Sequence, residues 1–400
     1  MATTPTTHSE YSKFRGRGSL QNVVNELNRQ KETKIDFVAD TRDLRIATED
    51  DGSGLRLRPE EGRPQINEFL DSNGVGLTDQ SLQQIGSKCR PEIPWKFLKA
   101  LSLEKRDSTA DLLNDMFLDV NRRLVRCLDG KVRAFLSDRY RILDNYDLAF
   151  QALDTVQKAG GEVLEAQLTD RHMRLKFTTR QLWDSIDETR SSAPQSSWYS
   201  GGMGNQDHLS RVAARTKGAL PGGPGTVHPL VTVSNSETGH GGLSIRLGIV
   251  RAICFNLATV EDTVAQVHLG KKLDVGMFQE ETIKADQDVV WMKCRDAIQT
   301  AFHPASFGRI VSAAQKANET EIEAPSAAAV DHLIATTDIT EDSRDSILEY
   351  FVREYDKTAY GLAQAVSRSA QDITDADAAT ELESIAGKII SCPSMVAVGA

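Results

Sequence analysis

The stretch HPLVTVSNSETGHGGLSIRLGIVRAICFN, residues His228 to Asn256, decides the fold. Apolar side chains alternate over Leu230 to Val233 and again at Leu243, Ile245, Leu247 and Ile249, the period-two pattern of strands with one buried face. Between them, Ser234 to Gly242 holds turn formers and hydrogen-bonding side chains that no core accepts unpaired. The pattern predicts two strands around a polar loop, with Ser234, Asn235, Ser236, Thr238, Gly239 and His240 as contact residues at the tip.

Upstream, Asp129-Gly130 separates Leu124 to Leu128 from Lys131 to Ser137, a strong hairpin signal. A helix then starts at Asn145 or Tyr146, carries Leu148, Ala149, Leu153 and Val156, and ends at Gly160-Gly161. Val163 to Leu168 and His172 to Thr178 form a second hairpin around Thr169-Asp170-Arg171. Before these, Pro91 to Leu101 and a Ser108-capped run reaching Arg123 have helical spacing. Residues 36–90 suit short helices and loops, and residues 1–35, rich in Thr, Ser and charge, suit a flexible arm.

From Thr179 to Gly225 regular patterning stops in a long Ser, Gly and Pro-rich loop. Met277 to Phe302, then 305–317, 326–335, 341–369 and 375–391, have helical spacing, with Pro304 and Pro325 as breaks. This order predicts an α+β fold. Residues 36–275 would form a core domain with one central, mainly antiparallel sheet built from hairpins and helices on one face; residues 276–400 would form a helical C-terminal region.

Charge is divided along the chain. The net charge of −10 hides a basic middle, with 20 Lys and Arg against 15 Asp and Glu from Asn121 to Lys272, and an acidic end, with 10 against 21 from Gly276 onward. Five cysteines without a CxxC pair exclude a zinc ribbon and argue against a disulfide framework. No apolar run is long enough to span a bilayer, and residues 1–20 are polar, so neither a membrane segment nor a signal peptide is expected and a cytoplasmic location is.

No catalytic signature stands out. Gly201-Gly202-Met203-Gly204 and Gly222-Gly223-Pro224-Gly225 lack the spacing of phosphate or dinucleotide loops. The eight histidines form no HExxH, and His228, His240 and His268 are widely separated; Ser234 and Ser236 lie in no GxSxG elbow. No cofactor, metal or catalytic residue is expected. An enzyme would need a carboxylate cluster drawn from Asp138, Asp144 and Glu237.

Strand parity points elsewhere. Residues two apart share a face, so Lys131, Arg133 and Phe135 lie opposite Val132, Ala134 and Leu136; Arg174 and Lys176 share a face with His172; Arg246 sits opposite Ile245 and Leu247. Arg139 and Arg141 extend a segment, Arg122 to Arg141, with seven Lys and Arg against two Asp. In one sheet these cations would form a phosphate-tracking face, with Phe135 and Tyr140, or Tyr199 from the long loop, stacking bases. The alternative is that long basic side chains solvate an exposed sheet. Arg251 breaks the parity of its strand, which requires either a bulge at Gly248 or a buried ion pair.

The stretches Val132-Arg133-Ala134-Phe135-Leu136-Ser137-Asp138-Arg139-Tyr140-Arg141, Val233-Ser234-Asn235-Ser236-Glu237-Thr238-Gly239 and Cys254-Phe255-Asn256 resemble the phage- and plasmid-associated family described as domain of unknown function 932. The helical end, Thr358 to Val366 and Ala386-Gly387, is similar to that family as well. One position departs: Cys254-Phe255-Asn256-Leu257 stands where the family has Cys-Asn-Gly. The resemblance implies a mobile element or phage working in a bacterial host cytoplasm, and no established activity. With the basic strands it leads to the expectation of a single-stranded DNA-binding homo-oligomer that promotes ATP-independent annealing. The alternative is a non-catalytic structural or protein-interaction component.

Overall fold

A computed structural model describes residues 16–18, 20–49, 52, 54–63, 66–116, 121–186, 220–222, 225–252, 257–260 and 280–396. The fold is α+β, with mostly antiparallel strands, but the strands form two sheets rather than one.

The first elements among the described residues are β1 (Gly16–Gly18) and α1 (Leu20–Thr33). The first sheet follows: β2 (Lys34–Asp40), β3 (Leu44–Thr48), β4 (Leu55–Pro59), β5 (Val75–Leu77), β6 (Arg122–Leu128) and β7 (Lys131–Ser137), in the order β2-β6-β7-β5-β4-β3. Three helices, α2 (Asp79–Gly86), α3 (Trp95–Glu104) and α4 (Arg106–Met116), connect β5 to β6. Their Leu82, Ile85, Leu98 and Leu113 share one core with Phe37, Val125, Val132 and Phe135 of the strands. Asp129 (φ 50°) and Gly130 (φ 74°) make the two-residue hairpin turn whose left-handed backbone suits Asp-Gly.

The second sheet comes after α5 (Asn145–Lys158). Its strands are β8 (Gly161–Leu168), β9 (Met173–Thr179), β10 (Asp184–Ser185), β11 (Thr226–Asn235), β12 (Ser244–Arg251) and β13 (Leu257–Val260). The order is β1-β8-β9-β11-β12-β13, with β10 paired to β11. The helices α6 (Glu280–Ala301), α7 (Pro304–Glu319), α8 (Ser326–Thr336), α9 (Arg344–Glu354), α10 (Ala359–Ala370) and α11 (Ala376–Ser391) follow among the described residues.

Four expectations are corrected. Residues 20–33 are not an arm: Leu20, Val23 and Leu27 recur at helical spacing, and Val23 and Leu27 are buried in the core of the second sheet. Residues 34–77 contain four strands, short pieces whose alternation the intervening Asp, Gly and Pro obscure. The helix expected to reach Arg123 ends at Met116 in the described residues, and Arg122 already begins β6. The span 341–369 is two helices, α9 and α10, divided where the Thr358 side chain accepts from the Gly361 N–H as an N-cap.

The C-terminal helices share the core of the second sheet. Phe307, Ile310, Leu333, Ile347, Leu362 and Ile389 belong to the same hydrophobic cluster as Leu175, Val231 and Ile245 of the second sheet. Each such buried aliphatic side chain contributes about 1.5–3 kcal/mol, so strands and helices stabilise one another mutually. No described helix is long and apolar enough to cross a membrane.

Candidate functional site

The polar loop after β11 is not a free tip. Asn235, Ser236, Glu237 and Thr238 are all buried, and they form the joint between the two sheets. The Asn235 side-chain amide donates to the Leu143 carbonyl (3.0 Å) and to Asn145 Oδ1 (2.9 Å). Tyr140 Oη donates to the Ser236 carbonyl at 2.7 Å. The Thr238 carbonyl accepts from Gln84 Nε2 (2.8 Å) and Gln80 Nε2 (3.2 Å) of α2, while Gln84 Oε1 accepts from the Phe135 N–H (2.7 Å). Gly239 has φ +84°, and a Cβ there would stand 2.7 Å from Leu136 Cδ2. The left-handed backbone favours glycine here, and a Cβ would have to displace the end of the Leu136 side chain. Ser234 stays within the ladder, opposite Arg174 and Ser244.

Glu237 is the centre of this joint. Its carboxylate meets Arg133 Nη1 at 2.7 Å and accepts from the Asn145 N–H at 2.7 Å; its carbonyl accepts from Arg126 Nη1 at 2.8 Å. Burial alone would raise the carboxyl, but Arg133, then Arg126 and Lys34, outweigh it and hold Glu237 at about 2. Arg126, fully buried, also meets Asp36 (2.7 Å) and Asp144 (3.3 Å), and Asp144 meets Lys34 at 2.6 Å. Three buried or half-buried cations are thus balanced by three carboxylates.

A register shift between Arg126 and Cys127 explains why parity misled at β7. Ala134 pairs with Arg126 and Val132 with Cys127, which leaves Arg133 as the extra residue of a bulge. Phe135 therefore faces the helix-covered side and is a core residue, not a stacking platform. Tyr140 is a half-buried hydrogen-bond donor to the loop and not a free ring.

On the second sheet the parity holds. Glu165, Lys176, Thr232 and Arg246 form one cross-strand row, and Gln167, Arg174, Ser234 and Ser244 the next. This polar face is covered by α11, contrary to the expectation of helices on one face. Lys176, fully buried, bridges Glu165 (3.1 Å) and Glu383; Arg174 meets Asp377, and Thr380 Oγ1 meets Gln167 Oε1. Asp377, Thr380 and Glu383 recur every three residues along α11, so the acidic C-terminal region neutralises the basic middle from within the fold.

At the exposed end of the joint lie two histidines. His172 Nδ1 meets Asp377 Oδ1 at 3.2 Å, its Nε2 meets the His240 carbonyl at 3.2 Å, and the two rings are edge to face at 6.1 Å. Partial burial, with Arg171 and His172 adding to it, pushes His240 down to about 4. Burial opposes the charge of Asp377, but His172 and Arg174 hold its carboxyl well below the usual range.

The remaining sequence candidates are dispersed. Arg141 meets Asp286 of α6 at 2.7 Å, Arg246 is half-buried on β12, and Lys131 and Arg139 are exposed. Arg251 follows a ladder with no shift at Gly248; it is buried with its guanidinium over the Tyr355 ring. His228 is buried between the Thr179 and Pro221 carbonyls. Asp144 and Glu237 share the Arg126 network while Asp138 accepts from Ser137 outside it, and no metal-binding cluster occurs among the described residues. Tyr199, His268, Cys254 and residues 187–219 of the long loop lie outside the described residues.

Sequence reasoning missed Arg126, Gln84 and Asp36, although an arginine inside Leu124-Val125-Arg126-Cys127-Leu128 signals a buried, paired charge. It also missed a cationic row on the first sheet. Lys131 and Arg56 are both in register with Gly76, and Arg58 pairs with Arg45, so Lys131, Arg56, Arg58 and Arg45 share one face. Compared with protein-family models, curated proteins and solved structures, the chain matches none of them.

Proposed function

We propose that this chain is a non-catalytic protein of a phage or other mobile element that binds single-stranded DNA in a bacterial host cytoplasm and promotes annealing without a nucleotide. The contact surface is the open half of the first sheet's polar face. The observation that carries it is the row Lys131, Arg56, Arg58 and Arg45, in which Lys131 and Arg45 are exposed. Glu60 lies 3.8 Å from Arg45, and Glu49 lies near Gly76, at the margins of this patch. Arg133, Arg141, Arg174 and Lys176 hold the fold and take no part in binding. Titration of a labelled single-stranded oligonucleotide at two salt concentrations tests this. Affinity should fall steeply with salt, and Arg45→Ala with Lys131→Ala should flatten the slope by about 2. No binding at low salt would overturn it.

A protein-interaction role is favoured instead by α3. The helix WKFLKALSLE buries only Leu98 fully and leaves Phe97 56% and Leu103 62% exposed. Apolar side chains at this density on an exposed helix fit a partner surface. Hydroxyl-radical footprinting in host extract against purified protein distinguishes the two: protection of Trp95 to Glu104 in extract supports the interaction role, and equal labelling removes it.

A further inference from the structure

The two edges of the first sheet are treated differently. At the β3 edge, the outward N–H and C=O of Ile46 are both taken by the Asn114 side-chain amide of α4, at 2.9 and 2.8 Å. The Leu44 N–H bonds the Thr41 carbonyl, and the Thr48 hydroxyl bonds Asp107 of α4. That edge is closed. At the other end of the sheet stands β2, which pairs only with β6 among the described residues.

The alternation of β2 can be read from one bond. The Thr41 N–H donates to the Asn121 carbonyl at 3.1 Å, continuing the register of Asp40 with Arg122. Odd-numbered residues therefore bond β6, and Lys34, Asp36 and Val38 turn their N–H and C=O groups outward. Ile35, on this strand, is 47% exposed, and among the described side chains no other strand residue exposes a large apolar group to that degree. An open edge with an exposed β-branched residue is a template for pairing.

We propose that two copies of this chain pair edge to edge through antiparallel β2 strands about a two-fold axis at Phe37. Two six-stranded sheets then form one continuous sheet of twelve. The register is chosen by charge. Centred on Phe37, Lys34 stands opposite Asp40 of the second copy, Ile35 opposite Ala39, and Asp36 opposite Val38. Centring on Asp36 would set Asp36 against itself, and centring on Val38 would set Asp36 against Asp40, both like-charge contacts that destabilise a ladder. Lys34 already meets Asp144, and Asp40 meets Arg42, so the new contacts extend existing ion pairs into networks. Outward-directed residues also bond in matched pairs in this register, Lys34 with Asp40 and Asp36 with Val38. The pairing does not depend on what the protein binds.

Sedimentation velocity of the full chain from nanomolar to high micromolar concentration tests the pairing, and a monomer–dimer equilibrium is expected. Ile35→Lys changes an exposed side chain and should weaken the dimer at least about tenfold. Val38→Pro removes an outward N–H while leaving the β6 bonds of residues 35, 37 and 39, and should abolish dimerisation. In the wild-type chain, hydrogen exchange across Lys34 to Asp40 should slow as concentration rises through the dimer midpoint. A monomer at every concentration would overturn the proposal. So would a dimer indifferent to both folded variants, or exchange in β2 that is the same in monomer and dimer.

Discussion

Arg133 and Glu237, 104 positions apart in sequence, form an ion pair of 2.7 Å in which both side chains are at most 5% exposed. It fastens a bulge of the first sheet to the loop that leaves the second. A buried pair is not strong evidence of net stability, but breaking it is costly because the surviving charge keeps no counter-ion. Glu237→Gln preserves shape and should destabilise the fold by about 3–5 kcal/mol. Urea unfolding measures this; a change below about 1 kcal/mol would show that Arg133 finds other compensation.

The same joint predicts an acid response in two steps. His240 is lowered from 6.5 to about 4 in the folded state, so the unfolded chain binds more protons between those values. Stability is complete above pH 6.5 and falls as pH drops toward 4. Glu237 is lowered from 4.5 to about 2, so its contribution, complete above pH 4.5, is lost as pH falls toward 2. Chemical denaturation at a series of pH values should show both slopes. His240→Asn should flatten the upper one and leave the lower.

At Gly239 the backbone φ of +84° and the 2.7 Å approach to Leu136 act together. Gly239→Ala should cost about 1–2 kcal/mol from the left-handed backbone. Leu136 has a flexible end and can give way in part. A double variant with Leu136→Ala measures this: coupling near zero would assign the whole cost to the backbone.

Lys176 lies between Glu165 and Glu383, all three buried. Lys176→Met leaves two carboxylates facing each other under α11. A loss of about 3–5 kcal/mol is expected, with faster hydrogen exchange in residues 376–391. Exchange in β2 should be unaffected, since that strand belongs to the other sheet.

Thiol reactivity should follow burial. Burial raises Cys89 to about 11 and Cys127 and Cys294 to about 12, the last two in strand and helix interiors, whereas Cys392 is exposed. Alkylation of the native chain, read by peptide mass spectrometry, should label Cys392 well before those three. Labelling of Cys127 at a comparable rate would mean that β6 opens readily.

Local patterns settled a good part of the architecture. The Asp129-Gly130 turn, the Gly160 stop, the alternation of β9, β11 and β12 and the periodic C-terminal helices were all legible, because each depends on neighbours within a few residues. The polar rows of the second sheet were legible too, since parity persists wherever the ladder is regular. What covers those rows was not. Asp377 and Glu383 lie about 200 positions beyond Arg174 and Lys176, and the charge of a segment does not reveal its partner.

The bulge marks the same boundary. One unpaired residue at Arg133 turned Phe135 from the polar face to the core, and a bulge of this kind has no marker in the sequence Lys131-Val-Arg-Ala-Phe135. The sequence by itself determined the element types of the β6–β7, β8–β9 and β11–β12 hairpins, of α5 and of the C-terminal helices, together with the polar character of the loop after β11 and the segregation of charge along the chain. Only the tertiary structure decided that there are two sheets, that the loop is their joint and that Arg133, Arg174 and Lys176 among the expected binding cations are internal. The physical reason is that a buried charge is defined by the distant opposite charge it meets, and that pairing is made by the whole fold.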